Sequence, residues 1–166
     1  MITSTSSSQV KHVVNLQKKA KLRKEEKQFV VEGVKMVSEA PADRLVKVYV
    51  SETFKADNEE FLERMNYDSI GKDVLEIVTD NVFMRMADTQ TPQGIMAVVR
   101  MSDTDLEGIL SDKHNPLLLI IENLQDPGNL GTIVRMAEGA GVTGIIMSSN
   151  TVDIYNPKTI RSTMGS

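Results

Sequence analysis

Apolar positions along this chain follow two alternating rhythms. Short runs at FVVEG (29–33), LVKVYVS (45–51), DVLEIV (73–78) and GIMAVVRM (94–101) have the length and β-branched content of strands. Between them the spacing becomes helical. Val10, Val13, Val14 and Ala20 predict a first helix, and GVKMVSEA opens a second. SETFKADNEEFLERM predicts a third, starting near Ser51 or Glu52 with Phe61, Leu62 and Met65 on one face. DNVFMRMAD predicts a shorter fourth, and Pro92 and Gly94 of DTQTPQG mark a turn before the last strand. Elements alternating at this length imply a layered α/β domain over residues 1–101.

The pattern then changes. Residues 102–115 are polar, with Leu106, Ile109 and Leu110 at helical spacing, and read as a linker with one helical segment. PLLLIIENL (116–124) is apolar at successive positions, as expected of a strand buried on both faces of a parallel sheet. A helix over about 128–140 and a second such strand, GVTGIIMSS (141–149), complete one β-α-β unit. Such a unit is too small to bury a core of its own. Residues 116–166 are therefore expected to be part of a larger domain, and the chain a fragment of a larger protein.

The helix of that unit, within DPGNLGTIVRMAEGAG (126–141), carries an unusual load of glycine, which costs about 1 kcal/mol per helical position relative to alanine. Leu130, Ile133, Val134 and Ala137 form its core-facing stripe. Gly128, Gly131, Thr132, Arg135 and Gly139 fall on another face, whose one bulky side chain is Arg135. Such a face admits either a ligand, with the guanidinium over it and the free N–H groups of the first helical turn nearby, or a second helix packed closely. Spacing alone leaves both open. No GxGxxG and no GxxxxGK[ST] occurs, which argues against dinucleotide binding and nucleotide hydrolysis.

Composition narrows the chemistry. With no cysteine there are no disulfides and no thiolate ligands or nucleophile, and with two histidines, His12 and His114, no His-rich metal site. Both histidines are expected at the surface. No apolar run is long enough to span a bilayer and no signal-peptide pattern opens the chain, so a cytoplasmic protein without membrane partners is expected. The net charge of −4 conceals an imbalance: residues 9–36 hold eight cations (Lys11, Lys18, Lys19, Lys21, Arg23, Lys24, Lys27, Lys35) against Glu25, Glu26 and Glu32. That segment is either a solvated helix face or a surface that meets phosphates.

The stretch ENLQDPGNLGTIVRMAEGAG resembles the first signature motif of the SpoU (TrmH-type) RNA 2′-O-ribose methyltransferases, of the knotted SPOUT class. VKHVVNLQKKAKLRKEEKQFVVEG is similar to the opening of that family's substrate-binding domain, DTQTPQGIMAVV to its end, and NPKTIRSTMGS to the start of the second catalytic motif. The resemblance runs through nearly the whole chain in order. It implies a small ribosomal-protein-like α/β RNA-binding domain (1–101), a linker (102–115) and the amino-terminal part of a SPOUT (alpha/beta knot) methyltransferase domain (116–166). It further implies S-adenosylmethionine as cofactor, no metal, RNA (ribosomal or transfer RNA) as partner, and a homodimer formed through the SPOUT domain.

Position by position, Asn129 and Arg135 match the motif's Asn and Arg, tied in the family to ribose and phosphate handling, and Gly131 the small residue between them. Arg23, Glu32 and Gln93 match recurrent positions of the substrate-binding domain, to which the charge pattern adds Lys21 as an RNA contact. A ribose hydroxyl is a poor nucleophile that must be oriented or deprotonated. The resemblance casts Arg135 as the base, whereas a pKa above 12 suits it better to gripping the neighbouring phosphate, and the sequence leaves both roles open. The family's third motif is absent, so this chain is expected to bind the cofactor poorly and to be inactive alone. The rival from another class is a non-catalytic RNA-binding module whose second half is a dimer contact.

Overall fold

The computed structural model describes residues 1–66, 73–111 and 115–166; His114 lies outside the described residues. The chain forms two compact units, Met1–Met101 and Ser102–Ser166.

Unit 1 is a four-stranded mixed sheet with helices on both faces. The strands are β1 (Gln28–Glu32), β2 (Leu45–Ser51), β3 (Leu75–Val78) and β4 (Ile95–Arg100), in spatial order β1-β4-β2-β3. β4 lies antiparallel to both β1 (Val30↔Val98) and β2 (Val48↔Ala97), whereas β2 and β3 are parallel. Ile2 adds a parallel bridge to Val78 at the β3 edge. The helices are α1 (Ser8–Lys18), α2 (Ala20–Glu26), α3 (Val34–Glu39), α4 (Glu52–Asp57), α5 (Glu59–Met65) and α6 (Asp80–Met86). On one face Val10, Val13 and Leu16 of α1 and Val82, Phe83 and Met86 of α6 pack on Val30, Tyr49, Met96 and Val98. The alternate strand positions Val31, Val48, Val50, Ile95, Ala97 and Val99 are buried as well, so the sheet is covered on both sides.

Two helices expected to be continuous are broken. The first bends at Lys19, which takes an extended conformation between α1 and α2. The third breaks at Asn58, whose side-chain amide donates to the Phe54 carbonyl, ending α4 before α5 begins. Ser51 caps α4 by accepting from the Phe54 N–H, as its position suggested. Of the three residues placed on one face of the third helix, Leu62 is buried, while Phe61 and Met65 are partly exposed.

Unit 2 holds α7 (Leu106–Leu110), β5 (Leu118–Ile121), α8 (Pro127–Gly139), β6 (Gly144–Met147) and α9 (Pro157–Thr163). β5 and β6 are parallel, with Ile120 opposite Ile146. Leu130 and Ala137 of α8 are buried together with Ile121. The expectation that these strands are buried on both faces is not met: Ile120 is 73% and Ile146 37% exposed. Alternation along a strand turns these two residues to the face opposite the one that holds Ile121. Towards the start of that face, Ile109 of α7 sits where a side chain on Gly144 would be, 2.8 Å from the Cβ position. The segment expected to be a linker therefore contributes a helix that packs on the sheet of unit 2.

Candidate functional site

The loops leaving the carboxyl ends of β5 and β6 are knitted together, and they place α8. In open α/β sheets this edge is where ligands bind. The Ser148 hydroxyl accepts from the Asn123 N–H at 3.0 Å, and the Ser148 N–H donates to the Ile121 carbonyl at 3.0 Å. The Val152 N–H donates to the Leu124 carbonyl at 2.8 Å, and the Gln125 side-chain amide donates to the Asn150 carbonyl. Asp126 then starts α8 by accepting from the Asn129 N–H at 2.7 Å, with Pro127 in the first turn. This modifies one expectation. The Asn129 N–H of the first turn is taken by a carboxylate of the chain itself, whose charge opposes an anion there.

The glycine face of α8 divides. Gly131 is buried against α9 so closely that a Cβ there would lie 2.7 Å from the Ser162 carbonyl carbon and overlap the Ser162 side chain. At this position the glycine gives α9 room to approach α8, which is what the helix-packing reading requires. Gly139 has nothing within 4 Å of a built Cβ, and Gly141, at φ +73°, lies just past the end of the helix. Arg135 is exposed one turn beyond Gly131, and among the described residues nothing holds its guanidinium by a hydrogen bond or ion pair. Asn129 is exposed too, its backbone held by Asp126 and its side chain unengaged among the described residues. Unit 2 thus presents one cation and one amide from a helix fixed on two sides.

In unit 1 the expected RNA contacts separate into surface and scaffold. Lys21 is exposed beside Glu25, its Nζ 3.7 Å from the carboxylate, and Lys18, Lys19, Lys24 and Lys27 are exposed around it. Arg23 is instead 2% exposed: its Nη1 donates to the Leu16 carbonyl at 2.6 Å and the Gln17 carbonyl at 2.9 Å. These belong to the last turn of α1, whose carbonyls lack helical partners and carry partial negative charge. Arg23 therefore clamps the α1–α2 bend. His12 works with it, its Nε2 2.6 Å from Glu26 Oε2, partly exposed. Glu32 accepts from the Asp88 N–H at 2.9 Å and from the Thr89 hydroxyl, and Gln93 Oε1 accepts from the Val34 N–H at 2.8 Å. Together these two residues hold the 88–94 loop to the β1–α3 junction. Neither lies in the lysine cluster by sequence or by contact.

Sequence reasoning passed over Asp126, although Asp-Pro ahead of an apolar helical stripe is a readable helix start. It also passed over Asp80, which accepts from the Thr53 hydroxyl at 2.5 Å and the Thr53 N–H at 3.3 Å. Hydrogen bonds from the hydroxyls of Thr53 and Ser51 hold the Asp80 carboxyl below the usual aspartate range.

A sulfonium cofactor with a nucleoside body needs an enclosing cradle of donors and acceptors. At the edge described, the Ser148 and Thr151 hydroxyls are within 3.1 Å of each other, and each is also bonded to the backbone of this unit. The described residues offer one wall and do not by themselves fit the group.

Two family models match the chain: the MRM3-like substrate binding domain over residues 7–97 and the SpoU rRNA Methylase family over residues 116–166. Human mitochondrial rRNA methyltransferase 3 is 32% identical over 162 residues, covering 92% of this chain and 36% of that protein. A Bacillus subtilis 23S rRNA (guanosine-2′-O)-methyltransferase, RlmP, is 37% identical over 90 residues, 54% of this chain and 34% of its own length. An AdoMet-bound rRNA methyltransferase from Sinorhizobium meliloti superposes with a TM-score of 0.80 at 25% identity, over 99% of this chain and 60% of that one. The chain thus spans about a third to three fifths of the length of these proteins.

Proposed function

The chain belongs to the SpoU rRNA methylase family, and from that premise we propose that the protein containing it is an RNA 2′-O-ribose methyltransferase, acting on ribosomal RNA. S-adenosylmethionine is its methyl donor in this reading. The observation that carries the proposal is Arg135: a long cation, exposed and unpartnered among the described residues, on a helix fixed by Asp126 at its start and by the Gly131–Ser162 contact along its length. A guanidinium so placed can grip a phosphate through two parallel N–H bonds and hold the adjoining ribose hydroxyl in one orientation. The Asn129 amide can donate to a ribose oxygen from the first turn of the same helix. Gly131 then acts by setting the crossing of α8 and α9, with no contact to substrate required of it.

The lysines around Lys21 supply affinity for the RNA backbone without reading its sequence. Arg23, Glu32 and the side-chain oxygen of Gln93 support RNA binding by fixing the elements that carry the surface. Because the described residues do not close a cofactor cradle, this chain alone is proposed to be inactive. Self-association through unit 2 is supported by its exposed apolar side chains, Ile120 and the 69% exposed Met136 among them. A cytoplasmic site of action accords with the bacterial 23S rRNA relative, and no helix among the described residues is long and apolar enough to cross a membrane.

Arg135 tests the reading. In the protein containing this chain, Arg135→Ala is expected to reduce methyl transfer about 100-fold or more with the unfolding midpoint unchanged, since no core contact is lost. Arg135→Lys, which keeps the charge and loses the fork, should fall nearly as far. Near-normal activity in the lysine variant would overturn the phosphate grip. For the surface, Lys21→Ala with Lys24→Ala should lower the slope of log binding constant against log salt by nearly two units. An unchanged slope would remove these lysines from the interface. The binding-module reading is favoured only by the internal pairing at the β5/β6 edge, and methyl transfer by the longer protein refutes it.

A further inference from the structure

At the carboxyl ends of the parallel strands β2 and β3, unit 1 has an open hollow of about 320 Å³ between α4, α6 and the 92–94 turn. That is within the size range of small-ligand sites, about 300–1,000 Å³. Phe54, Phe83, Met84 and Pro92 give it apolar walls, with Met84 54% exposed. Its polar groups are mostly acceptors. Asp57 is exposed and has no partner among the described residues, and Asp80 is held ionised by its hydroxyl donors. Asn58 donates one of its two amide hydrogens to the Phe54 carbonyl and keeps its oxygen as an acceptor. Gln93, also in the lining, gives its oxygen to the Val34 N–H, which leaves its amide nitrogen able to donate. The Glu32 bonds to Asp88 and Thr89 tie down the loop that carries Gln93, so the wall is in place before any ligand arrives.

We propose that this hollow binds one unstacked guanine base of RNA, a reading that rests on RNA being the partner. Guanine alone among the four bases presents two adjacent donors, N1–H and the 2-amino group, beside an acceptor, O6. A carboxylate at Asp57 matches the donors and the Gln93 amide matches O6, while the apolar walls receive the faces of the ring. Adenine sets a lone pair against the carboxylate at the equivalent position. The carboxylates also repel phosphate, so the base enters from a single strand with its backbone outside.

The test measures binding of the pentamers UUGUU, UUAUU and UUIUU (I, inosine, lacking the 2-amino group) to the full chain by fluorescence anisotropy. The guanine oligomer should bind about tenfold tighter than the adenine one, with inosine between them. Asp57→Asn, at an exposed position, should bring the guanine-to-adenine ratio within twofold while salt-dependent binding persists; Met84→Ala should weaken all three without changing that ratio. Equal binding of all oligomers, or a ratio unmoved by Asp57→Asn, overturns the pocket and leaves the lysine surface standing. Binding of a lysine-rich peptide at the hollow with no base preference would assign it to an ammonium group and equally overturn the proposal. If none of the RNAs binds at any salt concentration, the RNA reading falls with it.

Discussion

Arg23 and Arg135 both lie on helices, and both were singled out as nucleic-acid contacts, yet the two units use them in opposite ways. In unit 1 the guanidinium of Arg23 is enclosed and bonded to two carbonyls at the end of α1. In unit 2 that of Arg135 stands in solvent with no partner among the described residues. The same contrast separates the sheets, one covered on both faces and the other with Ile120 and Ile146 uncovered. A cation in a motif is thus a candidate for chemistry only when the fold has left it uncommitted. In unit 1 the structural task falls to Arg23, while Lys21, Lys24 and their neighbours stay at the surface.

The sharpest way to break this comparison is at the helix crossing of unit 2. Gly131→Leu should force α9 off α8, costing about 3 kcal/mol or more of unit 2 stability. Gly139→Leu, in open space, should be near neutral by the same thermal unfolding measurement. Equal effects would mean that Gly131 is not a packing residue. Next comes Arg23→Met, which leaves two carbonyls unpaired and should destabilise unit 1 by about 2–3 kcal/mol in urea titration. Arg135→Met should stay within about 0.5 kcal/mol in the same titration. A stable Arg23 variant would return that residue to the surface group.

The smallest effect concerns pH. Burial, and then the nearby Glu76 carboxylate, push the Tyr49 phenol from 10.0 up to about 12. The unfolded chain therefore loses this proton first, and unit 1 should lose stability between about pH 10 and 12. Tyr49→Phe should remove that part of the alkaline slope in unfolding measured against pH. An unchanged slope would place the ionisation elsewhere.

What could be read in advance follows from the range of the interactions. The strands of unit 1 and the α8 stripe were legible because period and β-branched content are local properties. The bend at Lys19 was not, since no glycine or proline marks it and the force that fixes it is a side chain four residues on. Within a run of lysines nothing distinguishes Arg23 as the one that turns inward. Gly131 was ambiguous because close packing and ligand access demand the same spacing, and its neighbour Ser162 is thirty-one positions later in the chain. The exposure of Ile120 was misjudged for a related reason: apolar content shows that a strand is fit for burial, not that a covering layer is present.

The position of β4 shapes how the chain is born. It is the last strand of unit 1 to leave the ribosome, yet it sits between β1 and β2, pairing Gln28 with Arg100 and Val50 with Ile95. Until Arg100 has cleared the exit tunnel, β1 and β2 have unpaired edges and no common sheet, and nascent chain must wait with Val30, Val31, Val48 and Val50 uncovered. Such a topology, dominated by late and distant pairings, folds slowly and is open to aggregation during synthesis. In unit 2 the paired strands β5 and β6 are joined through a single helix, so their pairing needs no such wait. Folding of unit 1 during translation is therefore expected to wait for β4.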